Sequence, residues 1–116
     1  MGDLTIGIDI GGTSVRAAVI DDRGAMLDTL RAATPATATA LEHCLDRLVG
    51  ELVSRWAAKA VGLAIAGFLT PDRRMVRFAP HLPWREATVA EDMTARIGIP
   101  VVAEHDANAA AIAEWR

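Results

Sequence analysis

The 116 residues predict an α/β fold, a five-stranded mixed sheet with helices on both faces. Three observations carry that prediction. The first third is rich in strand-forming residues and is punctuated by two glycine turns, Gly11-Gly12 and Asp22-Arg23-Gly24. The segment 37–59 repeats its apolar residues at helical spacing. The run AVGLAIA, Ala60 to Ala66, is apolar almost throughout, as a strand buried on both faces must be.

In chain order, Thr5 to Ile10 forms the first strand, in which apolar residues alternate with Gly7 and Asp9. Val15 to Asp21 runs back from the Gly11-Gly12 turn, and Ala25 to Ala33 makes a third, antiparallel strand after the Asp22-Arg23-Gly24 turn. Three strands form a meander. Thr34-Pro35 ends it, and Leu41, Cys44, Leu45, Leu48, Leu52, Val53 and Trp56 mark the buried stripe of a long helix. His43 lies off that stripe, and Gly50 costs the helix about 1 kcal/mol relative to alanine. A right-handed crossover makes Ala60 to Ala66 parallel to the first strand. Thr70-Pro71-Asp72 is a turn and Met75 to Phe78 a short strand. The prolines of APHLPW, Ala79 to Trp84, predict an extended surface segment docked by Trp84. Thr88 and Glu91 predict a capping box at the start of a helix over 88–97, closed by Gly98 and Pro100. Val101 to Ala103 is the fifth strand, and an alanine-rich helix follows from Ala107.

Composition narrows the function. With 52% hydrophobic residues, 23% charged residues and a formal charge of −3, the chain is long enough for one core. No basic cluster appears, which argues against nucleic acid as a partner. No apolar run is long enough to span a membrane, the N-terminus lacks the basic start of a signal peptide, and Gly2 opens no myristoylation motif because position 6 is Ile; the expectation is a cytoplasmic protein. The single cysteine, Cys44, can form neither an internal disulfide nor a zinc site by itself and reads as a small buried hydrophobe.

Two places carry chemistry. At the first turn, Gly11 and Gly12 permit backbone angles closed to other residues and bring main-chain N–H groups close to a bound group, while the Thr13 hydroxyl adds a donor. Asp9 would repel a bare phosphate but suits one carrying a divalent cation, reached through water. An ordinary Gly-Gly hairpin corner explains the same residues and is the commoner use of them. Arg16 lies within reach of the turn, although a solvated strand arginine is the more frequent outcome. The second place is Asp106, at a strand-to-helix corner. An N-cap worth about 1 kcal/mol accounts for it, and so does a general base that orients and deprotonates an alcohol during phosphoryl transfer.

Three strings resemble one family. DIGGTSVR is similar to the first phosphate motif of the sugar kinase, actin and heat-shock chaperone ATPase superfamily, and within it of the ROK family (repressors, open reading frames and kinases). APHLPW resembles the family's APNLPGW element, with His81 in place of asparagine, and EHDANAAAIAE resembles ENDANAAALGE. The resemblance spans nearly the whole chain. It implies a ribonuclease-H-like sheet of order 3-2-1-4-5 with strand 2 antiparallel, and transfer of the γ-phosphate of ATP with Mg²⁺ to a hexose, as in a glucokinase. It assigns the catalytic base to Asp106, phosphate to Asp9, Gly11, Gly12 and Thr13, Mg²⁺ to Asp9 through water, and sugar to Gly67, His105, Asp106 and, more weakly, His81. His105 replaces an asparagine amide with an imidazole that has one donor and one acceptor, which bears on sugar specificity and on activity. The family's nucleotide-binding second lobe, its zinc motif and its later sugar ligands have no counterpart here, so residues 1–116 read as an N-terminal lobe that is inactive alone, completed by that second lobe or by self-association. ATP and polyphosphate both remain open as donors. The family also contains sugar-sensing transcriptional regulators, but these place a helix-turn-helix ahead of the DIGGT strand, and here that strand begins within the first residues; a non-catalytic lobe is the third reading.

Overall fold

A computed structural model describes residues 3–65, 68–69, 75–79 and 81–104. The meander is β1 (Leu4–Ile10), β2 (Ser14–Ile20) and β3 (Met26–Ala33). Next come α1 (Ala38–Val53), β4 (Ala58–Ile65), β5 (Phe68–Leu69), β6 (Val76–Phe78), β7 (Arg85–Ala87), α2 (Val89–Ile97) and β8 (Val101–Glu104). The main sheet has the order β3-β2-β1-β4-β8, with β2 antiparallel to both neighbours and β1, β4 and β8 parallel. That is the predicted five-stranded mixed sheet, its fifth strand being β8.

Alternation along the strands divides the sheet into two unlike faces. Ile6, Ile8 and Ile10 stand in register with Val19, Ala17 and Val15 on β2 and with Val61, Leu63 and Ile65 on β4, and all nine are at most 1% exposed. Burying each large aliphatic side chain contributes about 1.5–3 kcal/mol. Leu41, Cys44, Leu45, Leu48, Val49 and Leu52 of α1 and Val89, Ala90 and Met93 of α2 join the same core, so both described helices lie on one face. The helix expected from Ala107, which would serve the other face, lies outside the described residues. The stripe on α1 differs in one place from the sequence reading. Val49 is buried, whereas Val53 is 42% exposed, because α1 ends there, six residues short of the expected Lys59.

Local chemistry sets the element ends. Thr37 caps α1, its hydroxyl accepting from Ala40 N–H at 3.2 Å. Thr88 stands at the N-cap of α2 but makes no cap hydrogen bond, its hydroxyl donating instead to Asp92 at 3.2 Å; the expected capping box with Glu91 does not form because the Thr88 backbone, at ψ 60, is not extended. Gly98 closes α2 in the left-handed conformation, as expected. Arg96 then clasps α2 to α1, donating to both carboxylate oxygens of Asp46 at 2.8 and 3.1 Å and lying 3.5 Å from Glu42. Those carboxylates raise the Arg96 guanidinium above its usual range, Asp46 first.

A second sheet, β5-β6-β7, went unrecognised in the sequence apart from β6. Its existence corrects the reading of 79–84. Because Phe78 pairs with Arg85 in antiparallel strands, that segment is the loop of a hairpin rather than an extended strap, with Leu82 N–H closing on the Ala79 carbonyl at 3.1 Å. Proline's fixed φ suits such a turn as well as an extended chain. Trp84 docks the loop as expected, 1% exposed within the core, although its indole N–H finds no hydrogen-bond partner among the described residues. No described helix is long and apolar enough to cross a membrane.

Candidate active site

The parallel strands β1, β4 and β8 end on one edge of the main sheet, where ligands of open α/β sheets bind. Asp9, one residue before the end of β1, is exposed on the face opposite the core and stands in register with Ala64, which stands in register with Glu104. Two strand spacings put Glu104 about 10 Å from Asp9. His105 and Asp106 come next in the sequence, and they and Gly67 lie outside the described residues. On the other side of Asp9, Arg16 of β2 is its cross-strand partner and Arg31 of β3 is the next; both are exposed.

The Gly11–Thr13 turn connects β1 to β2, and its hydrogen bonds are selective. Gly11 N–H donates to the Ser14 carbonyl at 3.0 Å, so that amide is not free for a ligand as the sequence reading had it. The Gly12 and Thr13 amides have no acceptor among the described residues. Thr34, past the end of β3, holds the loop: its hydroxyl donates to the Gly11 carbonyl at 2.7 Å and its N–H to the Thr13 carbonyl at 3.1 Å. Nothing in the sequence pointed to Thr34, because the partner lies 23 residues away and a Thr-Pro pair reads simply as the end of a strand.

The reason for two glycines also differs from the expected one. Neither Gly11 nor Gly12 adopts a left-handed φ. What they supply is space. A Cβ on Gly11 would lie 3.2 Å from the Ser14 carbonyl oxygen, and one on Gly12 would lie 2.9 Å from His81 Cβ and 3.6 Å from His81 Cγ. The tip of the β6–β7 loop thus rests on the first turn. His81, the weakest of the sequence candidates, is brought against Gly12 with its side chain exposed.

Two unpaired amides beside an exposed carboxylate suit a phosphate accompanied by a cation. Among the described residues no group of three or more metal-ligating side chains occurs. A single carboxylate fits Mg²⁺, which keeps several waters and takes one or two carboxylates plus substrate phosphates, and does not fit a caged metal such as structural zinc. The described residues also form a groove of about 370 Å³ lined by Val49, Gly50, Val53, Trp56, Ile97 and Ile99. It sits at the amino end of β4, the opposite end of the sheet, and none of the sequence candidates lines it.

Known proteins share this fold. The chain is 42% identical over 113 residues to the glucokinase of Streptomyces coelicolor, covering 97% of this chain and 36% of that protein. It superposes with a TM-score of 0.86 on a ROK family glucokinase from Streptomyces griseus crystallised with glucose and AMPPNP, at 42% identity over 97% of this chain and 36% of that one. An inorganic polyphosphate/ATP-glucomannokinase from an Arthrobacter strain matches at 29% identity and a TM-score of 0.77, over 88% of this chain and 44% of that one. The chain thus spans little more than a third of the length of the glucokinases it matches. The ROK family pattern itself matches residues 5–116, nearly the whole chain, and the chain belongs to the ROK family.

Proposed function

We propose that this chain is the N-terminal lobe of a cytoplasmic glucokinase-like enzyme that transfers the γ-phosphate of ATP to a hexose hydroxyl. The observation that carries the proposal is the pair of unpaired amides, Gly12 and Thr13, held beside Asp9 at the carboxyl edge of the sheet. The glucose and AMPPNP bound by the Streptomyces griseus relative support hexose as acceptor and ATP as donor.

In this reading Asp106, two residues past β8, accepts the proton of the hexose hydroxyl as that oxygen bonds to the γ-phosphorus and the bond to the β-phosphate oxygen breaks, leaving ADP. Gly67 and His105 orient the sugar. The Gly12 and Thr13 amides hold donor phosphate with the Thr13 hydroxyl, and Gly11 shapes the turn they stand on. Asp9 holds Mg²⁺ through water, and the bound cation supplies neutralisation of phosphate charge. The rest of the nucleotide site would be supplied by a second lobe outside these 116 residues.

The test is a coupled assay with ATP, Mg²⁺ and a panel of hexoses, run on this chain and on a fusion with the remaining length of the Streptomyces coelicolor glucokinase. Asp106→Asn in whichever form turns over is expected to lower kcat about 10²–10⁴-fold. A folded fusion that makes no hexose-dependent ADP, or an Asp106→Asn variant of undiminished rate, would sink the proposal.

A further inference from the structure

We infer that His81 contacts the phosphoryl group held at the Gly11–Thr13 turn, and so serves the phosphate rather than the sugar. The inference rests on the phosphate reading of that turn given above. Four observations lead to it. The His81 Cβ lies over Gly12, 2.9 Å from where a Cβ on that residue would stand, with Cγ at 3.6 Å, so the side chain leaves its loop directly beside the turn. Gly12 has no left-handed φ to justify a glycine, and the room it leaves is occupied by His81. The imidazole is exposed and makes no hydrogen bond or ion pair among the described residues, so its nitrogens are free for a ligand. The turn beneath it presents the unpaired Gly12 and Thr13 amides, which favour an anion.

A side chain rooted against a turn that holds a ligand stands within reach of that ligand. An imidazole can donate to a phosphate oxygen in its neutral form and adds a positive charge when protonated, and a charge-assisted hydrogen bond is about twice as strong as a neutral one. The loop that bears His81 is fixed at its other end by buried Trp84, so the ring is presented from a supported hairpin rather than from a free strap. The ligand class is a phosphate monoester or the terminal group of a phosphoanhydride.

The experiment is an NMR titration of the ¹⁵N-labelled chain with inorganic phosphate and, separately, with glucose, following the Gly12 and Thr13 amides and the His81 ring nitrogens. Phosphate is expected to move all of them. His81→Ala is expected to weaken phosphate about threefold to tenfold, the range of one hydrogen bond, and His81→Asn, which keeps a donor, to recover part of the loss. His81 is exposed, so neither variant disturbs the core. Amides that shift while the ring does not, or an Ala variant that binds phosphate as the parent does, would overturn the inference and leave the turn's assignment standing. A ring that answers to glucose alone would overturn it in favour of a sugar contact. Amides and ring that both ignore phosphate would overturn this inference and the phosphate reading together.

Discussion

Strand β2 is entered and left by turns that both contain glycine, yet the two are built on opposite principles. The distal turn, between β2 and β3, satisfies itself. Asp21 Oδ1 accepts from the Arg23 and Ala25 amides at 2.9 Å each, Gly24 N–H returns to the Asp21 carbonyl, and Gly24 is glycine because its φ is +86 with open space around it. The proximal turn, between β1 and β2, is satisfied from elsewhere. It depends on Thr34 from the end of β3, leaves two amides without a partner among the described residues, and needs glycine for proximity to another loop. A turn that answers its own hydrogen-bonding demand is structural. One whose donors stay open to solvent after folding can take a ligand, which is the role proposed above for Gly12 and Thr13.

Variants can break this contrast. The largest effect is expected where the proximal turn's neighbour is anchored. Trp84→Ala should destabilise the chain by about 3–5 kcal/mol and release the loop bearing His81, whereas Trp84→Phe, which keeps an aromatic ring in the pocket and gives up part of the indole with its unpartnered N–H, should cost less; urea denaturation distinguishes them. Substitution at the two turn glycines comes next. Gly12→Ala forces a Cβ against His81 and should cost about 1–3 kcal/mol together with phosphate binding. Gly24→Ala should cost about 1–2 kcal/mol from its left-handed backbone alone, with phosphate binding intact in the same titration. Thr34→Val, losing one hydroxyl donor, should cost about 1 kcal/mol in stability and weaken phosphate through a looser turn.

The smallest effect belongs to the self-contained turn and its strand. Asp21 is held below the usual carboxylate range by the Ala25 and Arg23 amides, and Asp28 of β3 chiefly by the Trp56 indole N–H. Both pKa values are lowered on folding, so their contribution is full above the unfolded carboxylate pKa of about 3.9 and disappears as pH falls through the folded values. Urea midpoints at pH 7 and pH 3 should therefore differ less in an Asp21→Asn, Asp28→Asn double variant than in the parent.

The same contrast explains how much the sequence disclosed. Elements built from periodicity were legible: the alternation of Ile6, Ile8 and Ile10, the helical stripe from Leu41 to Leu52, and the apolar run of β4 placed the strands and the long helix, and the family resemblance supplied the order of the sheet. The Asp22-Arg23-Gly24 turn was legible for the same reason, since all its partners lie within four residues. Features that depend on distant pairing were not. The small sheet rests on strands of two and three residues, too short for any period to show, so the hairpin around 79–84 read as a strap. Thr34 and the contact between Gly12 and His81 join segments 23 and 69 residues apart and leave no local trace in composition. Family resemblance named the candidate residues, and geometry changed what Gly11 and Gly12 are for.

Thr34 also ties the site to the weakest border of the sheet. Strand β3 lies at an edge, with its outer backbone side unpaired in that sheet and with Met26 63% and Leu27 39% exposed. Edge strands fray first and exchange their amide hydrogens fastest. Since the proximal turn is held only while the chain at Ala33 and Thr34 remains zipped to β2, each opening of that end also opens the loop. Thermodynamic linkage makes the traffic two-way: on the phosphate reading proposed above, an anion seated on Gly12 and Thr13 would clasp the edge strand through Thr34 and slow its fraying.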